Sequence, residues 1–175
     1  MRSKKEILGE TPLPVFLLKC RNFKFFAENV LYEASSGEQI FIKPFQEEWV
    51  QAVEKNQRVI IEAGTGSSKT ETIGAMYVVW KMFLEKNKSI LLLAKSRDQA
   101  TSNILSRIKR YIENSELLVN MLMPEDRRRC WNVEEIETAN GCRCKNVPYN
   151  DRIRGFRADL IICDEIDSYE DTNIF

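Results

Sequence analysis

The stretch IIEAGTGSSKTE, Ile60 to Glu71, sets a lysine and a threonine directly behind a run of small residues. That combination suits phosphate. Backbone N–H groups of a glycine-bearing loop can converge on phosphate oxygens, a lysine can reach the terminal phosphates, and a hydroxyl can bind Mg²⁺. Gly64, Thr65, Gly66, Ser67, Ser68, Lys69 and Thr70 are therefore the candidate loop. Ser68 stands where the pattern G-x-x-x-x-G-K-[ST] wants its second glycine. The serine matters if that position needs a positive φ or a close approach of phosphate; the expectation is that binding survives it.

A second stretch, LIICDE, runs from Leu160 to Glu165 and ends in two adjacent carboxylates. Such neighbours repel each other unless a cation or a water network uses them. Asp164 is suited to hold Mg²⁺ through its water shell, and Glu165 to polarise an attacking water. Each stretch alone is ambiguous, since small residues make turns and strands end in acidic turns. Together, in this order on separate strands, they point to a site for ATP and Mg²⁺, with Lys69 and Glu165 as the catalytic candidates. Gln46, in PFQEEW upstream of the loop, is a candidate for adenine recognition because an amide both donates and accepts. A solvated helix residue is the competing reading of Gln46, and core packing that of Phe45.

The elements that must position these groups alternate between strand and helix. RVIIEA reads as a short apolar strand leading into the loop, and KTETIGAMYVVWKMFLEKN as the helix leaving it. SILLLAK is a second buried strand, SRDQATSNILSRIKRYIENS a further helix, and DLIICDE a third strand. Continuous apolar runs of this kind belong to a parallel sheet covered by helices on both faces. Upstream, TPLPVFLLKCRNFKFFAENVLYEAS reads as one helix, IFIK as a short strand, and PFQEEWVQAVEKN as a helix opened by Pro44. Asn140-Gly141 is a hairpin signal within a protruding hairpin expected over Trp131 to Val147. The fold class is thus α/β, a P-loop domain with a largely parallel sheet flanked by helices and an inserted β-hairpin. Residues 1–43 form an N-terminal helical segment with a short strand, and 44–175 the core.

Bulk properties bound the rest. The 175 residues carry 26 basic and 26 acidic side chains, so net charge names no partner. Arg127 to Arg129, Arg143, Lys145, Arg152, Arg154 and Arg157 form a local basic run that could meet nucleic-acid phosphates, partly offset by Glu134, Glu135, Glu137 and Asp151. No apolar run approaches the roughly 18–20 residues of a membrane span, and a cytoplasmic protein is the default. The five cysteines are read as reduced structural thiols rather than a metal site, and the absence of histidine removes any imidazole base.

From PFQEEWV to its end the chain resembles the ATPases of viral DNA-packaging terminase large subunits. ILLLAKSRDQATSNILSRIKRYIENSELL resembles that family's second strand and helix. IETANGCRCKNVPYNDRIRGFRADLIICDEID is similar to its most specific stretch, a hairpin and an RG-x-x-AD lead-in to the carboxylates. The resemblance implies a RecA-like core of the additional-strand catalytic glutamate class, driving double-stranded DNA into a procapsid. It implies Lys69 and Thr70 on phosphate and Mg²⁺, Asp164 on the metal, and Glu165 activating water. Portal, small terminase subunit and a homo-oligomeric ring are the implied partners. Thr65 stands where the family often has a finger arginine, which a neighbouring subunit could replace. The sequence ends just past Glu165, before the coupling motif and any nuclease domain, so no nuclease activity is expected of it. Two other readings remain open: the first lobe of a superfamily-two helicase, through AGTGSSKT and DEID with Asp167, and a nucleotide-binding module without turnover.

Overall fold

The computed structural model describes residues 12–33, 36–64, 66–94, 97–126, 131–148 and 155–164. Its elements are helices α1 (Leu13–Lys19), α2 (Phe23–Val30) and α3 (Pro44–Lys55), then a π-helical turn (Thr70–Met76) that runs directly into α4 (Tyr77–Leu84). Strand β1 (Ser89–Ala94), helices α5 (Arg97–Glu113) and α6 (Glu116–Leu122), and strands β2 (Glu135–Glu137), β3 (Arg143–Pro148) and β4 (Leu160–Cys163) follow. The four strands form one sheet in the order β2-β3-β1-β4.

β1 lies at the centre, parallel to β3 on one side and to β4 on the other. Ile90, Leu91, Leu92 and Leu93 are all buried, as an apolar run covered on both faces requires. Alternation sends Ile90, Leu92 and Cys144 into the main core with α2, α4 and α5, while Leu91, Leu93 and Val147 pack with Ala158 and Cys163 on the reverse face. α4 is buried almost all round. Trp80 meets Phe23 edge-on with ring centroids 5.6 Å apart, and its indole N–H donates to the Cys20 carbonyl at 2.9 Å. The buried aromatic thereby keeps its polar atom satisfied.

Several expectations are corrected. The first helical stretch is two helices, because the Asn22 side chain accepts from Phe25 N at 2.8 Å and starts a new N-terminus. IFIK is not a strand: only an isolated bridge joins Tyr32 to Gln39, and the Ile42 N–H is taken by the Glu28 carboxylate at 3.0 Å. RVIIEA is irregular rather than a strand, with Ile60 76% exposed. Among the described residues it pairs with no strand, and β4 is the edge strand of the described sheet.

The hairpin is present, with Glu135 opposite Lys145 and Glu137 opposite Arg143, but it does not protrude. Its second strand is part of the main sheet, and its turn docks on the end of α4. There the Asn140 amide donates to the carbonyls of Met82 at 2.7 Å and Glu85 at 3.0 Å. These are carbonyls that a helix C-terminus leaves without intrahelical partners. α6 was not expected from the sequence. Among the described residues no helix is long and apolar enough to cross a membrane.

Candidate active site

Thr70 and Asp164, 94 residues apart in sequence, meet at the carboxyl end of β4. The Thr70 hydroxyl donates to both carboxylate oxygens, at 3.0 and 3.2 Å. The Asp164 backbone N–H in turn reaches the Leu93 carbonyl at 3.2 Å, tying that end of β4 to β1. The loop and the strand end read separately from the sequence therefore lie together. Glu165 and Thr65 lie outside the described residues.

The loop itself is a tight turn. Ser67 N donates to the Gly64 carbonyl at 3.2 Å, and Gly66 has φ 81°. Ser68 has φ 63°, the left-handed region that costs a residue with a Cβ about 1–2 kcal/mol. The pattern's glycine is thus missing at a position whose backbone favours glycine. Ser67 Oγ is shut off from solvent and has no hydrogen-bond partner, a donor left over inside the turn. Lys69 curls back so that its ammonium donates to the Ala63 carbonyl at 2.7 Å. Ala63 itself occupies the first glycine position of the pattern, which the sequence reading passed over.

Three consecutive side chains leave the start of the π-helical turn for three different elements. Thr70 goes to Asp164 beyond β4. The Glu71 carboxylate takes the Arg107 guanidinium and the Tyr111 hydroxyl, both on α5. The Thr72 hydroxyl accepts from the Gln46 amide of α3 at 2.9 Å. Successive residues of a helical turn point in well-separated directions, so such a fan is available at a helix start. Glu71 and Thr72 were missed in the sequence, although polar residues opening an otherwise apolar helix were a readable signal.

Gln46 is 6% exposed. Its carbonyl oxygen accepts from Lys43 N at 2.9 Å, closing the first turn of α3, and its nitrogen serves Thr72. Phe45 beside it is 37% exposed and packs on Trp49 with ring centroids 5.1 Å apart. Of the basic run, Arg143 pairs with Glu137 at 3.1 Å, and Lys145 pairs with Glu135 at 3.7 Å while lying over the Phe156 ring. Arg157 is exposed. Arg127 to Arg129, Arg152 and Arg154 lie outside the described residues, as do Asp151, Asp167 and Cys130.

The other four cysteines are free thiols, and burial pushes Cys20 up to about 12 and Cys163 up to about 11. A cavity of about 410 Å³ opens at the opposite end of the sheet, lined by Glu54, Tyr77, Glu85 and Asp159 among others. Its lysines, Lys81 and Lys88, are both tied to carboxylates, so it offers phosphate no comparable setting.

Residues 60–174 match the family described as terminase large subunit, T4likevirus-type, N-terminal. The chain belongs to that family. The fold is similar to the crystal structure of the HK97 bacteriophage large terminase, with a TM-score of 0.61 at 14% identity. That likeness covers 83% of this chain and 37% of the HK97 chain, so the terminase segment seen here corresponds to little more than a third of the HK97 protein's length. No curated protein matches it.

Proposed function

We propose that this terminase segment is the ATP-hydrolysing part of a DNA-packaging motor. The observation that carries the reading is the contact between Thr70 and Asp164, which joins a left-handed phosphate-type loop to a carboxylate at a strand end. The residues present fit Mg²⁺ and a nucleotide. A hydroxyl and a carboxylate already in contact are the oxygen donors Mg²⁺ takes, and the unpartnered Ser67 Oγ is a donor that a phosphate oxygen would satisfy. Bound Mg²⁺ would neutralise charge on the phosphate oxygens.

The chain's own groups would then divide the work. Gly64 to Ser68 would wrap the phosphates with backbone N–H groups. Lys69 would leave the Ala63 carbonyl for the terminal phosphates, Thr70 and Asp164 would hold the metal, and Glu165 would orient the attacking water. Membership of the terminase family favours this reading over a helicase lobe. Double-stranded DNA, portal, small subunit and ring neighbours are its proposed partners.

The test is ATP binding and steady-state hydrolysis with Mg²⁺, with and without double-stranded DNA. Binding lost in Lys69→Ala and turnover lost in Glu165→Gln are expected. Binding without turnover in the wild-type chain would leave a nucleotide-binding module, and no binding at all would remove the motor.

A further inference from the structure

We propose that Arg107 is a positioning residue for the nucleotide: acting through Glu71, it neutralises a carboxylate that adjoins Thr70 and would otherwise repel polyphosphate. The inference rests on the nucleotide reading above and adds to it a residue outside the loop and the strand end. Thr70 meets Asp164 at 3.0 Å, and the next residue in the chain is an acid. Like charges held close together oppose each other, so an anion site gains nothing from a carboxylate beside it. The fold sends that carboxylate to α5, where it takes the Arg107 guanidinium and the Tyr111 hydroxyl.

The two elements are shaped to meet at this point. Ile104, Arg107 and Tyr111 recur at helical spacing and share one face of α5. Opposite them Gly74 follows Glu71 by about one turn, and a Cβ there would come 3.3 Å from Ile104 Cδ1. That close approach keeps Glu71 within reach of Arg107. Of the two partners, only Arg107 brings a charge. Tyr111 is buried; burial, helped by the Glu33 carboxylate and opposed by Arg107, pushes its hydroxyl up, so it donates as a neutral group. Without Arg107, Glu71 would keep that hydrogen bond together with its negative charge. Unpaired charges act over about 10 Å at 0.1 M salt, farther than the roughly 3.8 Å between neighbouring Cα atoms.

The test is calorimetric binding of ATP and ADP, each with Mg²⁺, to the 175-residue chain at low and high salt. The magnesium complex of ATP carries twice the negative charge of that of ADP, and repulsion scales with charge. Arg107→Ala should weaken ATP about tenfold and ADP about threefold at low salt, and both losses should shrink at high salt. Adding Glu71→Gln to that variant should restore both ligands to within about twofold of wild type, a coupling read as a double-mutant cycle. Arg107→Lys, which keeps the charge, should recover most of the affinity.

A loss equal for the two ligands, indifferent to salt and not restored by Glu71→Gln would overturn the proposal and leave the pair a tie between helices. Wild-type affinities in Arg107→Ala would also overturn it, and if turnover were lost at those affinities the guanidinium would belong at the reacting phosphate instead. If Arg107→Ala fails to fold, Glu71→Gln alone decides: it should tighten ATP more than ADP, and unchanged or weaker ATP binding overturns the idea. A wild-type chain showing no binding sensitive to Lys69→Ala would bring down the nucleotide reading itself, a different result from any of these.

Discussion

Ser68→Gly should stabilise the folded chain. Serine at φ 63° carries a left-handed penalty of about 1–2 kcal/mol, which glycine removes. Glycine also widens the unfolded ensemble, which offsets about 0.5–1 kcal/mol of that gain. The Ser68 side chain is exposed, so deleting it sacrifices little packing. The net expectation is a gain of about 0.5–1 kcal/mol, or roughly 2 °C in Tm for a chain of this size. Urea unfolding without nucleotide should show a raised midpoint and an unchanged slope. Ser68→Asn should fall between serine and glycine, since asparagine enters the left-handed region more readily than most. Ser68→Ala keeps the Cβ and should match serine, whereas Ser68→Val should be worse than both. Alanine stabilising as much as glycine, or glycine destabilising, would refute the argument, because the effect would then not come from φ.

Gly141→Ala should cost about 1–2 kcal/mol in the same urea assay, because Gly141 has φ 83° in the hairpin turn. A Cβ there would also come 2.2 Å from Asn87 Oδ1, adding to that cost. Asn87→Gly in the same chain, suited to the φ of 56° at that position, should relieve the contact and leave the φ cost at Gly141. Asp159 is held below its usual value of 3.8, first by the Ser89 N–H and then by the Lys88 ammonium. Its ionised form is the one folding favours, so its contribution is present above that usual value and lost as pH falls through the lowered one. Asp159→Asn should therefore flatten the fall of the urea midpoint below about pH 4, and an unchanged acid limb would remove Asp159 from the account. Cys20 and Cys163 are pushed above their usual 9.0 by burial, so stability from the neutral thiols holds below that value and is lost as pH rises through about 12 and about 11. Both should resist iodoacetamide at about pH 8 until urea unfolds the chain; native-state labelling of Cys20 at the unfolded rate would contradict its burial between α1 and α2.

What the sequence made readable was what local chemistry determines. Ile90 to Leu93 had to be a strand covered on both faces, and they are. Asn140-Gly141 had to turn the chain, because Gly141 takes a φ that residues with a Cβ avoid. The break after Cys20 was available too, in the Asn22 cap, but the apolar run across it masked the signal. RVIIEA failed for a different reason. An apolar stretch becomes a strand only beside another strand, and composition does not say which neighbour is present. The hairpin's docking on α4 likewise depends on where Asn140 meets Met82 and Glu85, a tertiary fact.

The site follows the same division. Thr70 and Asp164 could be singled out from spacing, and the structure brings the two together, while Lys69 turns to the Ala63 carbonyl. The bond from Gln46 to Thr72 was not legible, because the partner lies 26 residues away. The structure also supplies a reason for the polar start of an otherwise apolar helix. Thr70, Glu71 and Thr72 fasten one turn to the end of β4, to α5 and to α3 in succession. A loop with serine in a glycine position needs such fastening, because its backbone strain must be offset by contacts outside the loop.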